Sequence, residues 1–148
     1  MINEKDVIRM KIPFPSISDR LAVCSHMYIC RESAHPNYGF VKCQTLKPYM
    51  LGSSLFYHYV DEAADAARNP FAHTTRIDCD KLFITSSILY DDSMKTTIRT
   101  DVCQELYDLV KMELAADGCQ TFSLNEDEMV SINPPIQKIP VVQASTPV

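Results

Sequence analysis

Two apolar segments separated by a short polar turn constrain the fold of this chain more than any other feature. Residues 21–30 are almost entirely apolar, and residues 40–46 form a second, shorter apolar segment. The residues between them include Pro36 and Asn37, and Gly39 follows, which is a composition typical of turns. We interpret the two segments as adjacent buried strands of one sheet, with both faces covered by other parts of the chain.

Two polar side chains at the ends of these predicted strands indicate where chemistry could occur. Arg20 stands directly before the first strand, and Thr45 lies near the end of the second. If the strands pair, the guanidinium and the hydroxyl converge at one end of a small sheet. A guanidinium can bind two phosphate oxygens at once. His26 adds an imidazole that could act as a base, or it is simply a histidine packed in a strand.

Length and composition favour one globular domain without a membrane segment. The chain has 148 residues, of which 46% are apolar and 22% charged, as is ordinary for such a domain. No apolar run reaches the roughly 20 residues that a membrane-spanning helix needs. The first residues lack the basic start and the apolar stretch of a signal peptide, so we expect a cytoplasmic protein.

The six cysteines and the net charge of −5 limit the kinds of ligand that we expect. No pair has the Cys-x-x-Cys spacing, so we predict reduced thiols, no metal site and no cofactor. Cys24 and His26 come nearest to a ligand pair, but they lie two apart on one strand. The negative charge argues against indiscriminate nucleic-acid binding. It leaves room for a local basic groove, because the first third of the chain includes Arg9, Lys11, Arg20, Lys42 and Lys47.

The order of predicted elements indicates a mainly β domain that ends in a helix. Strands are predicted over residues 7–12, 21–30, 40–46, 55–60 and 74–85, the last as one long strand or as two short ones. An alanine-rich short helix is predicted over 61–68, and an amphipathic helix over 100–116 with Gly118 after its end. This order predicts an α+β fold, a small curled antiparallel barrel closed by a helix.

The last thirty residues have a different composition from the rest. Residues 119–148 hold four of the nine prolines and an acidic run, Glu126-Asp127-Glu128, and show no long apolar period. We therefore predict a domain over residues 1–118 and an extended or disordered tail over 119–148.

Four short segments resemble the PemK/MazF family of toxin endoribonucleases. Lys5-Asp6-Val7-Ile8 is similar to the family's opening strand. Arg20-Leu21-Ala22-Val23-Cys24-Ser25 is similar to the segment with the family's catalytic arginine. Phe40-Val41-Lys42-Cys43-Gln44-Thr45 is similar to the strand that ends in its catalytic Thr or Ser. The segment from Asp78 to Ile84 stands where the family has Asp-Gln-Ile-Arg-Thr-Ile-Asp. The chain departs at Leu21, where the family has proline, and at the Arg-Thr-Ile-Asp portion, where Lys81 is the nearest cation.

The resemblance implies an SH3-like barrel that cleaves single-stranded RNA without metal, as the toxin of a type II toxin–antitoxin system. Arg20 and Thr45 are then the expected catalytic residues, and Lys42, Lys47 and Lys81 the expected RNA contacts. A homodimer and an antitoxin protein are the expected assembly and partner.

Two other interpretations stay open. The protein could be a non-catalytic SH3-like barrel that binds a protein or a nucleic acid. The tail could also fold over the groove as a tethered antitoxin segment, with its acids facing Arg20.

Overall fold

A computed structural model describes residues 1–13, 25–52 and 55–140, and in these ranges the chain is mainly β with two α-helices. The strands are β1 (Val7–Met10), β2 (His26–Ala34), β3 (Asn37–Thr45), β4 (Tyr59–Glu62), β5 (Thr75–Asp78), β6 (Lys81–Thr85), β7 (Ile88–Leu89), β8 (Gln120–Ser123) and β9 (Gln137–Lys138). The helices are α1 (Gln104–Leu114) and α2 (Glu126–Ile132), with short 3-10 helices at Pro48–Met50 and Asp92–Met94. Neither α-helix of the described ranges has the length and hydropathy that crossing a bilayer requires.

Strand β3 is the centre of a seven-stranded sheet. It pairs along one side with β2, which in turn pairs with β1, both in antiparallel register. Along its other side it pairs twice, with β6 through Tyr38–Phe40 and with β5 through Cys43–Thr45. Beyond these lie β4 against β5, and β8 in parallel against β6. Residues 74–85 thus form two short strands, one of the two forms that the sequence allowed.

The predicted closure into a barrel is not found in the described part of the chain. The sheet runs in the order β1-β2-β3-β5-β4, and no pairing joins β1 to β4. The physical reason is that both faces of the sheet are covered, so that the sheet is a middle layer and does not curl around a single core.

Two apolar cores lie on opposite faces of the sheet, because successive side chains of a strand alternate between faces. On the face that we call the α1 face, strand residues pack with helix α1; the buried members include Val7, Ile29, Val41, Ile77, Leu106 and Val110. On the other, the α2 face, strand residues pack with helix α2 and its flanks; the buried members include Ile8, Tyr28, Phe40, Leu124, Met129 and Ile136. For residues 26–30 and 40–45, this arrangement confirms the expectation that the two apolar segments are covered on both sides; residues 21–24 lie outside the described ranges.

The predicted amphipathic helix is present but begins later, at Gln104. The residues before it pair with β1 and its preceding turn: the Thr100 carbonyl accepts from the Val7 amide at 2.9 Å, and the Val102 amide donates to the Lys5 carbonyl at 3.0 Å. Thr100 therefore does not cap the helix. Gly118 has φ of 99°, the left-handed conformation expected of it, four residues after the helix ends.

The predicted short helix over residues 61–68 is wrong. Asp61 and Glu62 belong to β4 and pair with Arg76 and Thr75 of β5. The chain then turns, with the amides of Arg68 and Asn69 both bonded to the Asp65 carbonyl at 2.8 Å. Sheet pairing has overridden the helix propensity of the alanines, as tertiary contacts commonly do.

The prediction of an extended tail is wrong for residues 119–140. This segment forms β8, α2 and β9, and its side chains Leu124, Met129 and Ile136 are buried in the α2-face core. Asn125 caps α2 by accepting from the Glu128 amide at 3.1 Å. The apolar residues are spaced over three short elements, too few in each to produce a visible period. Residues 141–148 lie outside the described ranges.

Candidate functional site

A small open cavity lies at the end of β3, beside Thr45. Its volume is about 190 Å³, and polar side chains form much of its wall; the lining includes Arg9, Ser25, His26, Gln44, Thr45, His73 and Thr75. The edges of three strands meet here, because Thr45 pairs with Thr75 of β5 and Met27 of β2 pairs with Cys43 of β3. The cavity therefore combines a guanidinium, two imidazoles and hydroxyl groups.

The Thr45 side chain lines the cavity with its hydroxyl group. Within the described ranges no hydrogen bond involves it, whereas the neighbouring Thr75 hydroxyl donates to the His73 carbonyl at 2.9 Å. That bond holds the residues before β5 against the cavity. A bound phosphate oxygen could accept a hydrogen bond from Thr45 without breaking any contact among the described residues.

His26 is half-buried at the rim of this cavity and is neutral at cellular pH. Burial lowers its pKa, and the positive charge of Lys42 lowers it further, from 6.5 to about 4. A neutral imidazole has a free lone pair and can accept a proton from a substrate. Arg9 is exposed on β1 and brings a permanent positive charge to the same cavity.

The residues expected to act together lie at different places. Thr45 lines the first cavity, while Lys42 and Lys81 line a second cavity on the α2 face. Lys47 is exposed before the first 3-10 helix and lines neither cavity. Arg20 lies outside the described residues, so its distance from Thr45 stays a prediction.

Two residues of the Thr45 cavity were not among the expected catalytic residues. The sequence indicates the position of Arg9 only weakly. Alternation along β1 places its side chain on the sheet face of Val7, opposite the face of Ile8 and Met10. His73 lies in the loop before β5 and has no periodic signal. Only the pairing of β3 with β5 brings it to the cavity.

The second cavity, of about 240 Å³, combines aromatic walls with two lysines. Its lining comprises Ile12, Tyr28, Lys42, Gln44, Tyr49, Leu55, Phe56, Asp78, Lys81 and Phe83. Lys81 is paired with Asp78 at 3.3 Å. Lys42 has no hydrogen bond or ion pair within the described ranges, and burial lowers its pKa against the opposing effect of Asp78.

Arg76, the most buried cation of the described residues, has a structural role. Its guanidinium donates to both Asp61 carboxylate oxygens, at 2.8 and 2.9 Å, and to the Met50 carbonyl at 3.0 Å. It also lies 3.8 Å from the centre of the Tyr59 ring. These contacts leave it no free face for a substrate, and they tie the segment after β3 to the sheet.

The described residues contain no group of three or more His, Cys, Asp or Glu side chains arranged to hold a metal ion. The cysteines at 43, 79, 103 and 119 are free thiols, and burial raises the pKa of those at 43 and 79. Comparison of the chain with protein-family models, with curated proteins and with solved structures gives no match.

Proposed function

We propose that this protein is an endoribonuclease that cleaves single-stranded RNA without metal, at the cavity beside Thr45. One observation carries the proposal: a hydroxyl without a hydrogen-bond partner among the described residues, a guanidinium and two imidazoles line one open cavity at the end of β3. These are the groups that phosphodiester cleavage needs, and Thr45 is the residue that the PemK/MazF resemblance marks as catalytic.

The proposed reaction is attack of a ribose 2′-oxygen on the adjacent phosphorus. Neutral His26 accepts the 2′-hydroxyl proton, while the P–O bond to the 5′-oxygen breaks and that oxygen receives a proton from His73. Arg9 and the Thr45 hydroxyl stabilise the charge that develops on the non-bridging oxygens. The products are a 2′,3′-cyclic phosphate and a 5′-hydroxyl. Arg20, five residues before Ser25 in the sequence, is a second candidate for the cationic role.

The finer expectations belong to this proposal. They are a PemK/MazF-type barrel ancestry, a toxin role in the cytoplasm, a homodimer and an antitoxin partner. The supporting features are the mainly antiparallel sheet, the helix after it and the four similar segments. Co-purification with the product of a neighbouring gene, and the mass of the native protein, would test the partner and the dimer.

The test of cleavage uses purified protein, single-stranded RNA and EDTA, with product ends identified by mass spectrometry. We expect cyclic-phosphate ends, and a rate that falls about 100- to 1,000-fold in Thr45→Val, the loss typical of removing one donor to a developing anion. Thr97→Val is the matched control, because Thr97 is exposed and far along the chain from the cavity. Equal rates in Thr45→Val and the wild type would refute the proposal.

A second candidate function is non-catalytic binding of a macromolecule. The observation in its favour is a group of exposed apolar side chains after β3: Tyr49, Leu51 and Leu55 are 67%, 63% and 66% exposed. RNA that is retained by the protein but never cut, with no effect of Thr45→Val, would favour this function.

A further inference from the structure

From the geometry of the second cavity, on the α2 face, we infer that it is a binding site for one nucleotide of a single-stranded RNA. This inference rests on the proposed function, because it takes the nucleotide to be part of the RNA substrate. The binding itself can be measured without cleavage. The two cavities are lined by different side chains, with Gln44 shared between them.

The charge of the cavity favours an anion. Asp78 is already occupied, because one carboxylate oxygen accepts from the Asp80 amide at 2.9 Å and the other lies 3.3 Å from the Lys81 ammonium. The half-buried Lys42 ammonium is the remaining charge, and it has no partner within the described ranges. A lysine on an apolar wall, in a chain of net charge −5, gains most from a ligand that brings its own negative group.

The walls favour a flat ring. Tyr49, 67% exposed, and Phe56 flank the opening, and the Tyr28 and Phe83 rings form the floor with their centroids 6.2 Å apart in an edge-to-face arrangement. Cations beside exposed aromatic side chains are the combination by which proteins bind single-stranded nucleic acids, since every base has a face that stacks.

The size of the cavity limits the ligand to one nucleotide. About 240 Å³ is less than the roughly 300–1,000 Å³ of pockets that enclose a drug-sized molecule. An oligonucleotide must therefore continue outside the cavity.

Gln44 connects the two cavities, so that a bound RNA strand can extend from the second cavity to the scissile bond. It lies on β3 between Lys42 and Thr45 and lines both cavities. Lys42 is also close enough to His26 to lower the pKa of that imidazole, which places the two sites within electrostatic reach. An RNA strand with one base bound in the second cavity can thus place a neighbouring phosphate beside Thr45.

The inference is tested by calorimetry, which measures the equilibrium binding of the four nucleoside 5′-monophosphates and of inorganic phosphate to the full chain. We expect at least one nucleotide to bind more tightly than phosphate. Lys42→Gln should weaken its binding about 10- to 100-fold, the loss of a charge-assisted hydrogen bond. Tyr49→Ala should weaken it about 5- to 100-fold, the loss of one stacked ring.

The matched controls are Lys138→Gln and Tyr57→Ala. Lys138 pairs with Asp127 on the surface, and Tyr57 is 79% exposed and outside the cavity lining. Neither change should alter nucleotide binding. Thr45→Val, the catalytic variant, should also bind the mononucleotide as the wild type does.

The outcomes separate this inference from the proposed function. In the cleavage assay, Lys42→Gln should raise KM, the result of lost ground-state binding. Cleavage by the wild type with no change of nucleotide binding in Lys42→Gln or Tyr49→Ala would overturn the inference and leave the function standing. Binding of phosphate as tightly as of any nucleotide would also overturn it. Nucleotide binding that depends on Lys42, without any RNA cleavage, would support the site and refute the enzyme.

Discussion

At the scale of single residues, His26 links the candidate site to folding stability. Its pKa is lowered to about 4 in the folded chain by burial and by Lys42, and it returns to about 6.5 on unfolding. Between these values the unfolded chain binds a proton that the folded chain does not, so stability falls as pH is lowered through this window. Above this window His26 is neutral in both the folded and the unfolded chain, and it no longer makes stability depend on pH.

The prediction is that His26→Gln makes the fold less sensitive to acid. The full pKa shift of His26 would lower the free energy of unfolding by about 2 kcal/mol between pH 6.5 and pH 5. Because His26 is only half-buried, we expect a loss of about 1 kcal/mol. Urea unfolding near pH 7 and near pH 5 measures this difference. His35→Gln is the control, because His35 is exposed in the turn between β2 and β3. An identical loss of stability on acidification in wild type and His26→Gln would contradict the prediction.

The second residue-scale prediction concerns the ion pair between the buried Arg76 and the partly exposed Asp61. The Arg76 side chain is only 4% exposed, and Asp61 →Asn would leave its charge without a carboxylate partner. Breaking such a pair typically costs about 3–5 kcal/mol, and we expect the lower end because Asp61 is 33% exposed. Urea unfolding measures the loss of free energy. Asp117→Asn, an exposed carboxylate beyond α1, should change stability by less than about 0.5 kcal/mol.

The residues of the candidate site were only partly predictable, for a physical reason. Strand alternation assigns Thr45 and Lys42 to opposite faces of β3, so a correct strand prediction already separates them. The pairing partner of that strand cannot be read from the same pattern. His73 reaches Thr45 only because β5 pairs with β3, and Arg9 reaches it only because β1 and β3 flank β2.

At the scale of elements, the short helix α2 is part of the core. Met129 is fully buried on its inner face, while Met112 on the outer face of α1 is 72% exposed. The prediction is that Met129→Ala destabilises the fold by about 2–5 kcal/mol, the range for buried large-to-small changes. Met112→Ala, the same chemical change in a helix, should stay within about 0.5 kcal/mol. Thermal unfolding of both variants is the measurement, and equal midpoints would contradict the assignment of α2 to the core.

The sequence pattern predicted elements best where one element carries a long period. The strands around the first turn and helix α1 have ten or so residues each, enough for a period to show. Residues 61–68 misled because Glu62 and Asn69 are used in tertiary contacts: Glu62 accepts from Arg68 at 3.0 Å and from Asn69 at 2.9 Å. Residues 120–138 misled because the buried apolar residues are divided between α2 and the loops beside β8 and β9, so there is no period to detect; they are Leu124, Met129 and Ile136.

At the scale of the whole molecule, the covered sheet explains why the acidic segment does not act as a loose inhibitor in the described structure. Glu126 accepts hydrogen bonds from the Ser87 amide and hydroxyl at 2.7 and 2.9 Å, and Asp127 pairs with Lys138 at 3.0 Å. These acids are occupied beside β7 and β9, on the layer that carries α2. The hypothesis of a tethered antitoxin segment therefore requires a release that would open the α2-face core.

The last prediction distinguishes a structural layer from a detachable inhibitor. A chain that ends at Gly118 loses the parallel partner of β6 and the buried residues Leu124, Met129 and Ile136, so we expect it not to fold cooperatively. Circular dichroism and urea unfolding measure this, alongside RNA cleavage. A chain that ends at Pro140 keeps every contact described above and should fold and act as the full chain does. A tethered inhibitor predicts the reverse for the shorter chain, a stable fold with faster cleavage, because removal of an inhibitory segment would leave the catalytic domain intact. Since the α2-face core draws residues from both β1–β3 and residues 119–140, the structure favours loss of folding.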